Sequence, residues 1–400
     1  MVHPVRVGIF DHLSLRLGGG QLVVARMAKQ LSETYQVDII HSGRGYTISS
    51  LASAFEVDLS RARERIVPDT LESWGLPGAQ SALVYLPRRL KADRALTARY
   101  DLFIYSGHGI PPFNTAHRGV IYCHFPIELH PTHDLKVTKG WHNRPALSRW
   151  GRSVFYRVLW RYRMRGYQTV QCNSHFTSGW INRLWYSPAE VLYPPVALQV
   201  PLTEKRNAIV SIGRFVKTDN KSHAQLLKAF REFCSSIGGD WHLYMIGFCA
   251  DIQEDRAHVQ NLRDLAWDLP ITFIINAERK TVINQLAEAK LFWHTTGLGK
   301  EPPTLPQSQE HFGIATVEAM LAGCVPLVPN SGGQPEIVEH GDNGFLCQNL
   351  PELVQHSICL ARDDYLRNKM SRRAIARSQR YDPSAFEERF GQLVKRILWS

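Results

Sequence analysis

Residues 5–40 read as strand, helix, strand. A short apolar run over 5–10 leads into a loop holding Gly18, Gly19 and Gly20, and a helix follows over about 21–32, with Leu22, Ala25, Met27, Ala28 and Leu31 at helical spacing. A second short run occupies 37–40. Two strands joined through a helix lie parallel, so the opening predicts an α/β fold with a parallel sheet covered by helices on both faces. Further strands are read at 102–105, 120–123 and 169–172. Strand 208–212 starts the alternation again, followed by a helix at 223–233 and runs at 241–246, 271–275 and 291–294. At 400 residues the chain exceeds the usual size of one core, which predicts two domains. Tyr193-Pro194-Pro195 and the uneven stretch to Arg206 read as the linker. The triple glycine lacks the G-x-G-x-x-G spacing of dinucleotide binding, which argues against a dehydrogenase.

The chemistry concentrates in Glu310 to Met320, EHFGIATVEAM. If a helix opens near Gly313, the free backbone N–H groups and positive dipole end at Phe312, Gly313 and Ile314 face one spot that suits a phosphate. Glu318 then lies over a turn into the helix, placed to accept from vicinal hydroxyls, while Glu310 stands on the loop at the other end of the same ligand. The other reading is an ordinary amphipathic helix, with Ile314, Val317, Met320 and Leu321 as its apolar stripe and Glu318 solvated. After a short strand at 325–328 comes Ser331-Gly332-Gly333-Gln334-Pro335, a tight turn into a second helix start that offers more N–H groups to an anion. Two neighbouring junctions of this kind suggest a cradle for a diphosphate.

The run from Glu310 to Leu346 resembles the donor site of retaining glycosyltransferases of family 4, by its paired glutamates, the turn at Ala322 to Gly323, the segment from Gly332 to Val338 and the close at Gly341 to Leu346. The resemblance implies the GT-B fold: two Rossmann-like domains with parallel sheets facing across a cleft, and a C-terminal helix crossing back to the first. It implies an acceptor domain over 1–195, a nucleotide-sugar donor domain over 196–384 and a returning helix over 385–400. Arg214 and Lys221 match the family's basic pair that grips the leaving diphosphate. Glu310 is expected to hold sugar hydroxyls and Glu318 the ribose, with the backbone of Phe312, Gly313 and Ile314 on phosphate. Gly19 and Gly20 are expected near the donor phosphates and the acceptor. His124, at a strand end in Tyr122-Cys123-His124-Phe125-Pro126, is expected to contact and polarise the transferred sugar. For each, a bland reading stands beside this one: a flexible glycine turn, a structural histidine, two exposed loop cations. The activity implied is retaining transfer of a hexose from a nucleoside diphosphate sugar to a hydroxyl, through a front-face route. The EHFG form and the HFP element resemble mannosyltransferases of lipid-linked glycans, so GDP-mannose is the first expectation and a UDP-hexose the second. No cofactor is expected, and the absence of a D-x-D pair argues against an essential metal. An epimerase or hydrolase on the same architecture, or a sugar-nucleotide or polyanion binding protein without turnover, is the competing reading.

Composition bounds these readings without producing them. The formal charge of +11 admits nucleic acid, an anionic membrane or anionic substrates; no nucleic-acid module is present in the sequence. The seven cysteines lack CxxC spacing, which predicts reduced thiols. No apolar run reaches membrane-helix length, and no signal-peptide pattern precedes the first strand, so a cytoplasmic protein is expected. Between Trp141 and Tyr167 arginines interleave with aromatics (Arg144, Arg149, Arg152, Arg157, Arg161, Arg163 and Arg165). That segment suits either an anionic membrane surface or a core helix with Val154, Val158 and Leu159 on its stripe and the arginines solvated.

Overall fold

The computed structural model describes residues 4–12, 17–68, 79–127, 154, 157–217, 221–238, 240–299 and 306–399. It divides into two compact units: Met1–Pro195 with Ser384–Ser400, and Val196–Pro383.

The first unit is built on β1 (Arg6–Asp11), β2 (Gln36–His41), β3 (Arg63–Ile66), β4 (Leu102–Gly107), β5 (Arg118–Cys123), β6 (Thr169–Cys172) and β7 (Glu190–Val191). They pair in parallel in the order β3-β2-β1-β4-β5-β6-β7. Every residue of β4 is buried, as a parallel strand covered on both faces requires. The helix Gly19–Ser32 buries Leu22, Val23, Val24, Ala25, Met27, Ala28 and Leu31. It starts two residues before the sequence reading places it, so Gly19 and Gly20 form its first turn rather than a loop. Glycine at 20 gives close approach rather than a special dihedral angle: a Cβ there would stand 3.2 Å from Nε2 of His124, tighter than an ordinary contact.

The last helix, Pro383–Trp399, packs in this unit. Phe386, Phe390, Leu393, Val394 and Ile397 join the core of β1, β2, β4 and the helix Gly19–Ser32. Glu387 takes Arg26 at 3.4 Å and Lys29 at 3.2 Å, and Arg118 Nε donates to the carbonyl of Ile397 at 2.9 Å. The returning helix implied by the resemblance is therefore present.

The second unit carries β8 (Arg206–Ile212), β9 (His242–Gly247), β10 (Ile271–Ile275), β11 (Ala289–Trp293), β12 (Val325–Pro329) and β13 (Phe345–Cys347), in the parallel order β10-β9-β8-β11-β12-β13. Its core centres on Trp293, edge-on to Phe230 and Phe233, with the indole N–H on Ser357 Oγ at 2.9 Å. The stretch read as linker departs from expectation. Val196 is buried and donates its amide to Tyr381 O at 2.7 Å, and Lys205 points into the unit, so the chain after Pro195 already belongs to the second core.

In each sheet the strand order reverses once, between β1 and β4 and between β8 and β11. The crevice outside the carboxyl ends at such a reversal is where sheets of this type bind ligands.

Of the basic, aromatic segment, residues 141–153, 155 and 156 lie outside the described residues. Residues 157–164 are helical, but not on the stripe read from the sequence. Trp160 is buried and donates to Trp185 O at 3.1 Å, and Arg163 is buried with its guanidinium 4.2 Å from the Phe113 ring centre, whereas Val154 and Val158 are exposed. The aromatic and the cation together displace the smaller valines, because a tryptophan buries more apolar area and a guanidinium can stack on an aromatic face. Among the described residues no helix is long and apolar enough to cross a membrane. All seven cysteines are free thiols.

Candidate functional site

In the second unit the groups assemble at the reversal between β8 and β11. β8 runs out into Gly213 and Arg214, and β11 into His294 and Thr295. Lys221, just before the helix His223–Ile237, reaches back across this edge, and its Nζ donates to Glu310 Oε2 at 2.7 Å. The same oxygen meets His294 Nε2 at 3.0 Å. Thr295 Oγ1 donates to the carbonyl of Lys221 at 2.7 Å, fixing the lysine backbone, and a Cβ on Gly213 would come 3.0 Å from Lys221 Cγ. Burial alone raises the Glu310 carboxyl, but the Lys221 ammonium and the His294 ring outweigh it and hold the group well below its ordinary value of 4.5. Burial also pushes the His294 imidazole down from its ordinary 6.5, against the pull of Glu310. An ionised carboxylate only accepts, so His294 Nε2 carries the proton and donates.

Gly313 sits at the start of the helix Ile314–Leu321 with φ +125° and no side-chain cap, which only glycine adopts without strain. The amides of Thr316 and Val317 return to Gly313 O, while those of Ile314 and Ala315 have no acceptor among the described residues. Phe312 is buried edge-on to Tyr381, and Ile314 is half-buried. The loop therefore presents backbone donors that are fixed from behind.

The second junction works differently from the sequence expectation. A Cβ on Gly332 would lie 2.2 Å from Glu310 O and one on Gly333 2.5 Å from His311 O, and the Gly333 amide donates to Glu310 O at 2.8 Å. Its helix, Gln334–Ile337, is one turn long. The glycine pair braces the Glu310 loop from below, and its amide is spent on that loop rather than offered to an anion.

Glu318 is buried on the helix and takes Arg279 Nη2 on Oε1 at 2.6 Å; Oε2 has no partner among the described residues. Arg214 is exposed and forms no ion pair among the described residues. The structure thus joins Lys221 to Glu310 beside the Phe312-Gly313-Ile314 turn, and holds Glu318 on a separate arginine. In the first unit His124 follows β5, with Nε2 3.0 Å from Ser106 Oγ and Gly20 against its ring; Asn173 Nδ2 donates to its carbonyl at 2.8 Å.

Residues 198–377, which include this second-unit geometry apart from Tyr381, match the family of glycosyl transferases group 1. The chain carries a glycosyl transferases group 1 domain. It is 31% identical over 254 residues to the GDP-Man:Man(3)GlcNAc(2)-PP-Dol α-1,2-mannosyltransferase of Mus musculus, covering 57% of this chain and 48% of the relative. The human α-1,3/1,6-mannosyltransferase is 27% identical over 329 residues, 72% of this chain and 71% of that one. The chain spans about half the length of the first of these relatives. Among solved structures, Anabaena HepE with UDP and glucose superposes with a TM-score of 0.66 at 17% identity, over 98% of this chain and 100% of that one. A glycosyltransferase from Rickettsia africae gives 0.68 at 14%, over 99% of each. The resemblance carried by Glu310 to Leu346 is borne out, and the fold is GT-B.

The group 1 domain also holds groups that the sequence reading passed over: His294, Arg279 and Thr295. For His294 a signal existed, since it ends a predicted strand run, much as His124 stands directly after another. For Arg279 there was none, because its meaning depends on the helix Arg279–Glu288 lying beside the helix Ile314–Leu321.

Proposed function

We propose that the chain is a retaining, metal-independent hexosyltransferase that moves mannose from GDP-mannose to a hydroxyl of a lipid-linked or other glycan. The observation that carries this is the carboxylate of Glu310, held ionised between Lys221 and His294 beside the uncapped start of the helix Ile314–Leu321. The named relatives support mannose, since two of them are mannosyltransferases and one is named for GDP-Man. In this reading the second unit takes the donor and the first the acceptor. Lys221 and Arg214 stabilise the diphosphate as charge develops on it, helped by the backbone amides of Phe312 to Ile314. Glu310 holds the sugar hydroxyls, and the open oxygen of Glu318 takes the ribose. His124 contacts the transferred sugar, with Gly19 and Gly20 giving close approach on the same side.

The test is thermal stabilisation by GDP-, UDP-, ADP- and dTDP-sugars, since a ligand that binds only the native state raises its apparent stability. GDP-mannose is expected to give the largest shift, and Glu318→Ala to abolish most of it by removing the ribose contact. A native chain that responds to no nucleotide sinks the transferase reading.

We further propose peripheral contact with an anionic membrane on its cytoplasmic face. Val154, Val158 and Tyr162 are exposed four residues apart, beside the exposed arginines at 157, 161 and 165, so one helical face is apolar and its flank cationic. Co-sedimentation with vesicles containing phosphatidylserine is expected to fall at least about five-fold in Arg157→Glu/Arg161→Glu, each cation being worth roughly 1 kcal/mol near such a surface. Equal binding by the native and doubly substituted proteins would remove this face from consideration.

A further inference from the structure

Oε2 of Glu310 receives two donors, and Oε1 has none among the described residues. Two donors on one oxygen hold that oxygen in place and leave the other without a donor from the described residues. The donors differ in kind. Lys221 has a flexible stem and is about one-fifth exposed, and a diphosphate beside it competes for its ammonium. His294 is buried, its ring lies parallel to Phe292 at 6.3 Å, and its own amide is tied to Leu327 O at 3.1 Å. It cannot follow a ligand. The titratable groups facing it are Glu310, Lys221 and His223.

We infer that His294 is a positioning residue for the donor sugar: it keeps Glu310 by the Oε2 edge when Lys221 turns to the diphosphate, so that Oε1 stays presented to the hydroxyls of the hexose. This rests on the sugar-nucleotide reading above. It separates two tasks that the Lys221–Glu310 pair alone could not do together. Lys221 supplies charge that moves to the leaving group, and His294 supplies a neutral donor that stays. Neutrality matters, because a second cation at that edge would draw the diphosphate toward the sugar's place.

The test measures the affinities of GDP and GDP-mannose for the native chain, His294→Phe and His294→Gln, whose side-chain amide reaches where Nε2 stood. GDP is expected to bind all three within about two-fold. GDP-mannose is expected to bind His294→Phe about ten-fold more weakly than the native chain, the scale of one charge-assisted hydrogen bond, and His294→Gln within about three-fold. His294→Phe holding GDP-mannose as tightly as the native chain overturns the inference and leaves the transferase reading standing. So does His294→Gln behaving like His294→Phe, which would mark a packing role only. A native chain that binds neither ligand overturns both readings. Nitrogen NMR of labelled histidine in the native protein tests the same point without a variant. The Nε2-protonated form bonded to Glu310 is expected to persist in the free protein, with GDP and with GDP-mannose; loss of that bonded form when either ligand binds overturns the inference.

Discussion

Replacing Lys221 by methionine is expected to lower hexose transfer by about 10²- to 10³-fold, the scale seen when one preorganised donor to a developing charge is removed. Methionine keeps the length of the apolar stem that packs near Gly213, so the change is chiefly one of charge. Two losses combine. In the proposed transfer the leaving diphosphate loses a cation, and Glu310 loses the strongest influence that holds its carboxyl down against burial. The second loss has a pH signature. In the native chain Glu310 has a folded value well below 4.5, so its contribution to stability is complete above about pH 4.5 and is lost only as pH falls through that lower folded value. Without Lys221 the folded value moves up toward 4.5, so the stability that Glu310 contributes above that pH is smaller and its loss on acidification is complete at a higher pH. Activity against pH and thermal stability against pH, measured on both proteins, check the two parts separately. Transfer within ten-fold of native would remove Lys221 from the diphosphate, and an unchanged acid limb would mean that His294 alone holds Glu310.

The parts of this site that are continuous in sequence were legible in it. Glu310 to Glu318 could be read because a glycine at a helix start, a stripe of Ile314, Val317 and Met320, and two carboxylates all fall within one short window whose local geometry is set by the backbone. The parallel sheets were legible for a similar reason: fully buried strands such as β4 show as unbroken apolar runs. What failed to show were meetings between strand ends. His294 is one of 17 histidines, and only the pairing of β11 with β8 brings it to the carboxylate that Lys221 also reaches. The turn at Gly332-Gly333 was seen, but its task was not. Whether an amide faces a ligand or a neighbouring carbonyl depends on a loop some twenty residues earlier in the chain, and here the carbonyl of Glu310 takes it.

Lys205 carries that lesson furthest. In sequence it is one cation in Thr203-Glu204-Lys205-Arg206, indistinguishable from a solvated linker. In the fold its ammonium donates to Ala322 O at 2.6 Å, Ala289 O at 2.7 Å and Leu286 O at 3.2 Å, with Cys324 Sγ at 3.9 Å as a weaker fourth acceptor. These carbonyls belong to the C-terminal ends of two helices, Arg279–Glu288 and Ile314–Leu321, where orphan acceptors and the negative dipole end favour a cation. Burial nevertheless lowers the Lys205 pKa, so the carbonyls hold the charge against a desolvation cost. Lys205→Met leaves the three carbonyls without that donor and is expected to cost about 3 kcal/mol, lowering the midpoint of thermal unfolding by roughly 6–12 °C. The consequence reaches the site. One helix brings Arg279 to Glu318, and the other opens at Gly313, so a lysine at their far ends sets how both near ends stand. Calorimetry of the variant decides the first point, and a loss below about 1 kcal/mol would show that water replaces the ammonium without strain. GDP-mannose affinity of the folded variant decides the second: native affinity would mean that the packing around Met320 and Ala319, rather than Lys205, sets the direction of the helix.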